Sequence, residues 1–270
     1  MILIRSTTLN PVTLQFAAEL QAGARLPVAH VLDGRHGVAF ETPEPRIMVT
    51  EEACRALGLY CPGDFRWRCG DYGIYLARQQ FPEIRHFWLI EYDIRLAGGE
   101  LHEFFELFAR QPEIDLLACH LRPAQRGWRW HRTAAARDAE PYACTFGIVR
   151  ISARALDACL SKRRRHSASR LRRADWPNDE ALVATTVKQA GYSSRDFNGF
   201  GRRFYDATTW SLHSRIDGDS FQPLQGGVMI YHPVLFGSSF KRGNFTLQEL
   251  GEHPTTWQKV LRRLNMFARW

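Results

Sequence analysis

Between Ile84 and Asp93 the chain reads I-R-H-F-W-L-I-E-Y-D, an apolar run that ends in two carboxylates one residue apart, Glu91 and Asp93. Its middle, Phe87-Trp88-Leu89-Ile90, has the length and the aromatic and branched bias of a strand buried on both faces, which belongs in the centre of a parallel α/β sheet. Open sheets of that kind bind ligands at the carboxyl ends of their strands. Residues two apart on a strand project to the same side, so the run predicts Glu91 and Asp93 facing a ligand with Tyr92 turned into the fold. Two anionic oxygen groups suit a hard divalent cation, and such a cation suits a diphosphate. The structural alternative is a pair of strand-end carboxylates that cap neighbouring helices or pair with Arg95.

The surrounding chain alternates elements as α/β proteins do. Periodicity predicts strands over 2–4, 26–32 and 47–49, and helices over 11–22, 51–57 and 70–80, with a turn-rich stretch at 61–68. A helix over 100–110 carries Leu101, Phe104, Phe105 and Phe108 at helical spacing, an aromatic stripe that reads as core packing. Strands follow at 115–119 and 144–151, then a helix over 153–163 capped by Ser152. Trp176-Pro177-Asn178 introduces a helix over 179–190, and a strand over 228–231 ends at His232-Pro233. The tail over 254–270 is amphipathic.

A chain of 270 residues can bury a full core, and no repeat or low-complexity linker divides it. One continuous unit over 1–235 is expected, with a loop and amphipathic helix over 236–270 packed on it. Six cysteines (Cys54, Cys61, Cys69, Cys119, Cys144, Cys159) form no C-x-x-C pair, so they read as reduced thiols and zinc is not expected. No apolar stretch approaches the ~20 residues of a membrane span, and the first residues lack the order of a signal peptide. A cytoplasmic location is expected, with a peripheral contact to the inner face of an acidic membrane left open. The net charge of +8 points to an anionic partner. It peaks in K-R-R-R-H over 162–166 and at Arg170, Arg172 and Arg173, either a solvated loop or a patch facing an acidic surface. No basic-aromatic RNA motif or zinc finger is present, and nucleic acid is not expected as a partner.

The order of parts resembles the GT-A fold of nucleotide-sugar glycosyltransferases: an early strand ending in Asp33, a helix opening Gly70-Asp71-Tyr72, a buried strand ending Glu91-Tyr92-Asp93, a helix opened by W-P-N-D-E, and a late strand ending in His232. The resemblance covers roughly residues 1–235. It implies a mostly parallel central sheet flanked by helices, with an irregular C-terminal extension, and a metal-assisted transfer of sugar from a nucleotide-sugar donor to a hydroxyl of a polysaccharide or glycolipid. E-Y-D departs from the family's D-x-D at its first position.

Carried onto this chain, the resemblance makes Asp93 a ligand of Mn²⁺ or Mg²⁺, Glu91 a ribose or second metal contact, and His232 the residue that closes the metal site, where a lone histidine reads equally as structural. Asp33 and Asp71 would lie near the nucleotide. The acidic helix start would supply the base of an inverting enzyme, with Glu180 favoured over Asp179, whose charge also suits a helix N-terminus. Lys241 and Arg242 follow His232 closely and would neutralise the leaving diphosphate. Trp128, Trp130 and His131 occupy a loop suited to a sugar acceptor, or plug a core. A metal-dependent nuclease or phosphodiesterase would use the same acids and the basic run, but needs more carboxylates converging on two metals. A non-catalytic module for nucleic acid or membrane leaves the buried strand and its acids without a role.

Overall fold

The computed structural model describes residues 1–34, 40–169, 176–212, 214–237 and 239–240. The chain opens with β1 (Ile2–Ser6) and α1 (Pro11–Ala24). Asn10 starts that helix: its side chain accepts the Thr13 amide and the Thr13 hydroxyl accepts the Asn10 amide. Pro11 fills the first turn, where no helical hydrogen bond is lost. There follow β2 (Val28–Asp33), β3 (Arg46–Val49), α2 (Glu51–Ala56), α3 (Phe65–Arg68), α4 (Asp71–Gln80), β4 (His86–Glu91), β5 (Arg95–Ala97), α5 (Leu101–Ala109), β6 (Leu116–Pro123) and α6 (His131–Ala135). The second half adds β7 (Tyr142–Ser152), α7 (Ala153–Ala168), α8 (Asp179–Gln189), β8 (Ser194–Asp196), β9 (Ile216–Asp217), β10 (Met229–Tyr231) and β11 (Val234–Leu235).

Seven strands form one sheet in the order β3-β2-β1-β4-β7-β6-β8. All neighbours run parallel except around β7, which is antiparallel to both β4 and β6. From β1 the chain proceeds outward through β2 and β3, then returns to place β4 on the other side of β1. The carboxyl ends of β1 and β4 therefore flank a topological switch point, where an open α/β sheet leaves a crevice. Two small pairs, β5 with β10 and β9 with β11, extend the molecule beside that crevice.

Both faces of the sheet are covered. On one side α2, α4, α7 and α8 pack over Leu3, Val31, Leu89 and Val149. On the other, the expected aromatic stripe of α5 closes on Trp88: Phe105 lies 5.0 Å from it edge-on, with Phe104 and Phe108 each at 5.8 Å. Burying one such ring stabilises the fold by roughly 1.5–3 kcal/mol, which holds α5 against β4.

The basic run corrects an expectation. Helix α7 continues to Ala168, and its i, i+3, i+4 spacing turns Lys162 and Arg163 inward with Ala155, Leu156 and Cys159. Arg163 is 0% exposed and pairs with Asp71, also 0% exposed, at 2.7 Å. Lys162 donates to Asp138 at 2.6 Å and to the Gln189 side-chain Oε1 at 2.9 Å. Only Arg164 and Arg165 of this stretch face outward. Arg170, Arg172 and Arg173 lie outside the described residues, as do Lys241, Arg242 and the tail over 254–270. Among the described residues no helix is long and apolar enough to cross a membrane. All six cysteines are free thiols.

Candidate active site

β4 stops at Glu91, and Tyr92 and Asp93 form a turn. Alternation along a strand therefore does not unite the two acids; the turn does. Tyr92 lines the crevice instead of entering the core, a second departure from the expected register. Glu91, Asp93 and His232 each bring a ligand atom within 4.8 Å of the others. Two bonds fix the loop that supplies Asp93 and the strand that follows His232: the Val234 amide donates to the Asp93 carbonyl at 2.7 Å, and the His232 amide to the Thr209 carbonyl at 2.8 Å.

The His232 ring is oriented by its neighbours. Trp210 stacks on it at 4.6 Å with 25° between the planes, and Nδ1 lies 3.2 Å from the Ser211 carbonyl. A carbonyl only accepts, so the proton of the neutral ring sits on Nδ1. Nε2 is left with its lone pair directed toward Asp93, 3.9 Å away. Asp93 Oδ1 is buried without a hydrogen-bond partner. A desolvated anionic oxygen next to an imidazole lone pair and a second carboxylate is a donor set that fits one divalent cation, and among the described residues this is the single group of its kind. Arg95, the alternative partner for these acids, turns away: it donates to the Tyr92 and Ile94 carbonyls and stacks on Phe16 at 4.3 Å.

Arg5, at the end of β1, reaches the Glu91 carboxylate and also donates to the Arg66 carbonyl at 2.5 Å. Burial pushes the Glu91 carboxyl up; the Arg5 charge opposes this and Asp93 adds to it. Across the crevice Arg66 pairs with Asp33 at 2.8 Å, so Asp33 lines the cleft from the end of β2. Gly70 and Gly73 complete that wall. A Cβ on Gly73 would lie 2.3 Å from Val31, and one on Gly70 would lie 2.6 Å from the Asp179 carboxylate. Asp71, expected at the nucleotide, is withdrawn: its carboxylate is enclosed by Arg163 and the Tyr75 hydroxyl, and it anchors α4 from inside.

Helix α8 begins as its sequence predicts, with the Asn178 side chain accepting the Ala181 amide. Its first two residues then part ways. Asp179 is buried and accepts the amides of Gly70 and Glu180, each at 2.8 Å. Glu180 receives Asn178 Nδ2 on Oε2 at 3.0 Å. Burial raises its pKa from the usual carboxylate range to about 7; the Asn178 hydrogen bond opposes the rise and the Glu91 charge adds to it. Glu180 therefore lies within electrostatic reach of Glu91.

Trp130 meets Trp67 of α3 with ring centres 5.5 Å apart, while Trp128 and His131 stand half-buried in the turn into α6. Sequence reasoning missed Arg5, Arg66, Trp67, Trp210 and Ser211. Arg5 carried a legible signal, a charge closing the apolar run Ile2-Leu3-Ile4 as Glu91 closes the next. It also missed His120, whose φ of 55° sits in a register break of β6 with its ring 4.6 Å from Tyr205 and 5.7 Å from Trp210.

The fold is a mostly parallel seven-stranded α/β sheet flanked by helices, as expected from the order of its parts. No protein-family model and no curated protein matches the chain. Among solved structures, mouse xyloside xylosyltransferase 1 overlaps 86% of this chain and 96% of its own, at 14% identity and a TM-score of 0.44. A glycosyltransferase involved in glycosylation of the major capsid of PBCV-1 overlaps 72% of this chain and 80% of its own, at 14% identity and a TM-score of 0.37. A putative glucose-1-phosphate thymidylyltransferase from Bacillus anthracis overlaps 73% and 86%, at 9% identity and a TM-score of 0.38.

Proposed function

We propose that residues 1–235 form a glycosyltransferase that moves a sugar from a nucleotide-sugar donor to a hydroxyl of a glycan or glycolipid, with inversion. This reading is supported by the Glu91, Asp93 and His232 cluster at the sheet's switch point together with Glu180, whose pKa burial raises to about 7 with the Glu91 charge adding to the rise. The nucleoside lies in the crevice between Asp33, Arg66, Gly70 and Tyr92, and the diphosphate points toward Asp93. Asp93 and His232, with Glu91, would hold Mn²⁺ or Mg²⁺, which supplies positive charge for the diphosphate.

An acceptor hydroxyl seated against Glu180 gives its proton to the carboxylate as its oxygen bonds to the anomeric carbon. The bond from that carbon to the phosphate oxygen breaks, and its electron pair leaves with the nucleoside diphosphate. Arg5, fixed on the crevice floor by Glu91 and the Arg66 carbonyl, supplies counter-charge on the donor side. Asp179 holds α4 against α8 and leaves proton transfer to its neighbour. The two-metal demand of a nuclease is not matched by a single three-residue cluster among the described residues.

The experiment is a thermal-shift series of nucleoside diphosphates with and without Mn²⁺, followed by donor hydrolysis in water. A ligand bound only by the native state raises the melting temperature, by an amount equivalent to about 2.7 kcal/mol at a hundredfold excess over its Kd. A metal-dependent shift with one nucleoside diphosphate, and release of sugar from the matching donor, are expected; no shift with any of them overturns the reading.

A further inference from the structure

Arg129 is exposed, yet it is held in one place. Its guanidinium carbon lies 4.6 Å from the centre of the Trp130 ring and 5.1 Å from that of Trp67, in the notch between the two indoles. Ring contacts occupy the flat faces of a guanidinium, while its N–H donors lie in the plane and point along its edge. Among the described residues no carboxylate pairs with Arg129, and no acceptor takes those donors. Its neighbour Arg68 is different: it is paired with Asp64 at 3.0 Å and donates to the Trp176 carbonyl at 3.2 Å.

The side of the site follows from Arg68, whose guanidinium lies 5.4 Å from the Trp130 ring and donates to the carbonyl of Trp176 at the entry to α8, tying the indole notch to the helix that begins with Asp179 and Glu180. In keeping with this, partial burial and Arg68 lower the pKa of Arg129 and the Glu180 charge opposes them. Helix α3 divides the two halves: Arg66 turns to Asp33 in the crevice, while the next residue, Trp67, turns to Trp130 and Arg129. An unclamped surface arginine would lose rotamer freedom on binding an anion; here the indoles have fixed it beforehand. A planar fork with free edges matches a carboxylate or a phosphate through two parallel hydrogen bonds.

We propose that Arg129, clamped by Trp67 and Trp130, recognises an oxyanion on the acceptor: a carboxylate or a phosphate carried by the molecule whose hydroxyl meets Glu180. This rests on the transferase reading given above. It assigns the acceptor to acidic glycans or phosphorylated carriers, and it makes Trp130 the support of a charged fork in place of a stacking platform for a neutral sugar.

The test measures binding of methyl glucuronide, glycerol phosphate and methyl glucoside to the full chain by tryptophan fluorescence. Wild type is expected to bind one anionic probe at least tenfold more tightly than the neutral glucoside, and the stronger arm distinguishes carboxylate from phosphate. Arg129→Gln should abolish that preference with its affinity for nucleoside diphosphate and Mn²⁺ unchanged. Arg129→Lys, which keeps the charge and loses the fork, should retain less than half of the preference. Equal binding of the three probes by wild type, or a preference that survives in Arg129→Gln, overturns the proposal. So does a loss of nucleoside diphosphate binding in Arg129→Gln, which would move the fork to the donor. A wild-type chain that binds no nucleoside diphosphate yet keeps the anion preference overturns the transferase reading alone.

Discussion

Arg5 and Glu91 are register partners on adjacent parallel strands, and their side chains close an ion pair over the carboxyl ends of β1 and β4. The pair sits where the sheet reverses its order, so one charge from each half of the fold meets at the crevice floor. Arg5→Met leaves Glu91 with no counter-charge in a partly enclosed position. Losing one partner of a fully buried pair costs about 3–5 kcal/mol, and these two are partly open to water, so a loss of roughly 2–3 kcal/mol is expected in urea unfolding. Nucleoside diphosphate binding should weaken as well; full retention of both stability and binding would show that the pair is incidental.

Asp93→Asn keeps the size of the side chain and removes its charge. The orphaned buried oxygen of Asp93 is the strongest sign of a cation at this place, so the variant should bind nucleoside diphosphate with equal strength whether or not Mn²⁺ is present. Calorimetry with and without the ion decides the point. A metal response equal to that of wild type would remove Asp93 from the site.

Glu180 gives two pH effects of opposite sign. Its folded pKa of about 7 lies above the usual 4.5, so ionising it costs more in the native state than in the unfolded chain. Below the unfolded value the group has no effect; as pH rises from there through about 7, stability falls, by at most about 3 kcal/mol. Catalysis runs the other way, because only the carboxylate accepts a proton, and transfer should rise with pH to a plateau above about 7. Glu180→Gln should flatten the stability slope and slow transfer by about 10²- to 10⁴-fold with donor affinity intact. If that variant transfers at the wild-type rate while Asp179→Asn does not, the base is Asp179.

The buried pair of Arg163 and Asp71 separates structure from surface charge within one short run. Arg163→Gln should lower stability by about 3–5 kcal/mol, since it strands the Asp71 carboxylate in the core. Arg165→Gln, on the outer face, should stay within about 0.5 kcal/mol, and Arg164→Gln, which loses the hydrogen bond from Nε to the Leu57 carbonyl, should cost about 1 kcal/mol. Thermal melts of the three single variants compare them directly, and equal melting temperatures would contradict the inward placement of Arg163.

The residues that were readable in the sequence are those whose chemistry is local. The strand ending at Glu91 announced itself by apolar bias, the start of α8 by Pro177 and the Asn178 cap, and the core role of Phe104 and Phe108 by helical spacing. Misreadings arose where a long-range partner decided. Nothing near Asp71 in the sequence shows that Arg163 will enclose it, and nothing near Arg163 shows that α8 will pack against its helix. Tyr92 was misplaced because strand alternation was extended one residue past the point where the chain turns. Trp67 and Trp130 come together only because α3 and the turn into α6 meet across the rim, and no spacing rule encodes that meeting.

The Asp179 carboxylate, by accepting the amides of both Gly70 and Glu180, joins the wall of the crevice to the start of α8 and the proposed base. The proposed donor and acceptor sites are thus joined by two hydrogen bonds to one carboxylate, and a shift of Gly70 on nucleotide binding would reach Glu180 through them. Occupancy of one site should then retune the proton affinity of the other, and substitutions at Gly70 and Glu180 should combine non-additively in a double-mutant cycle.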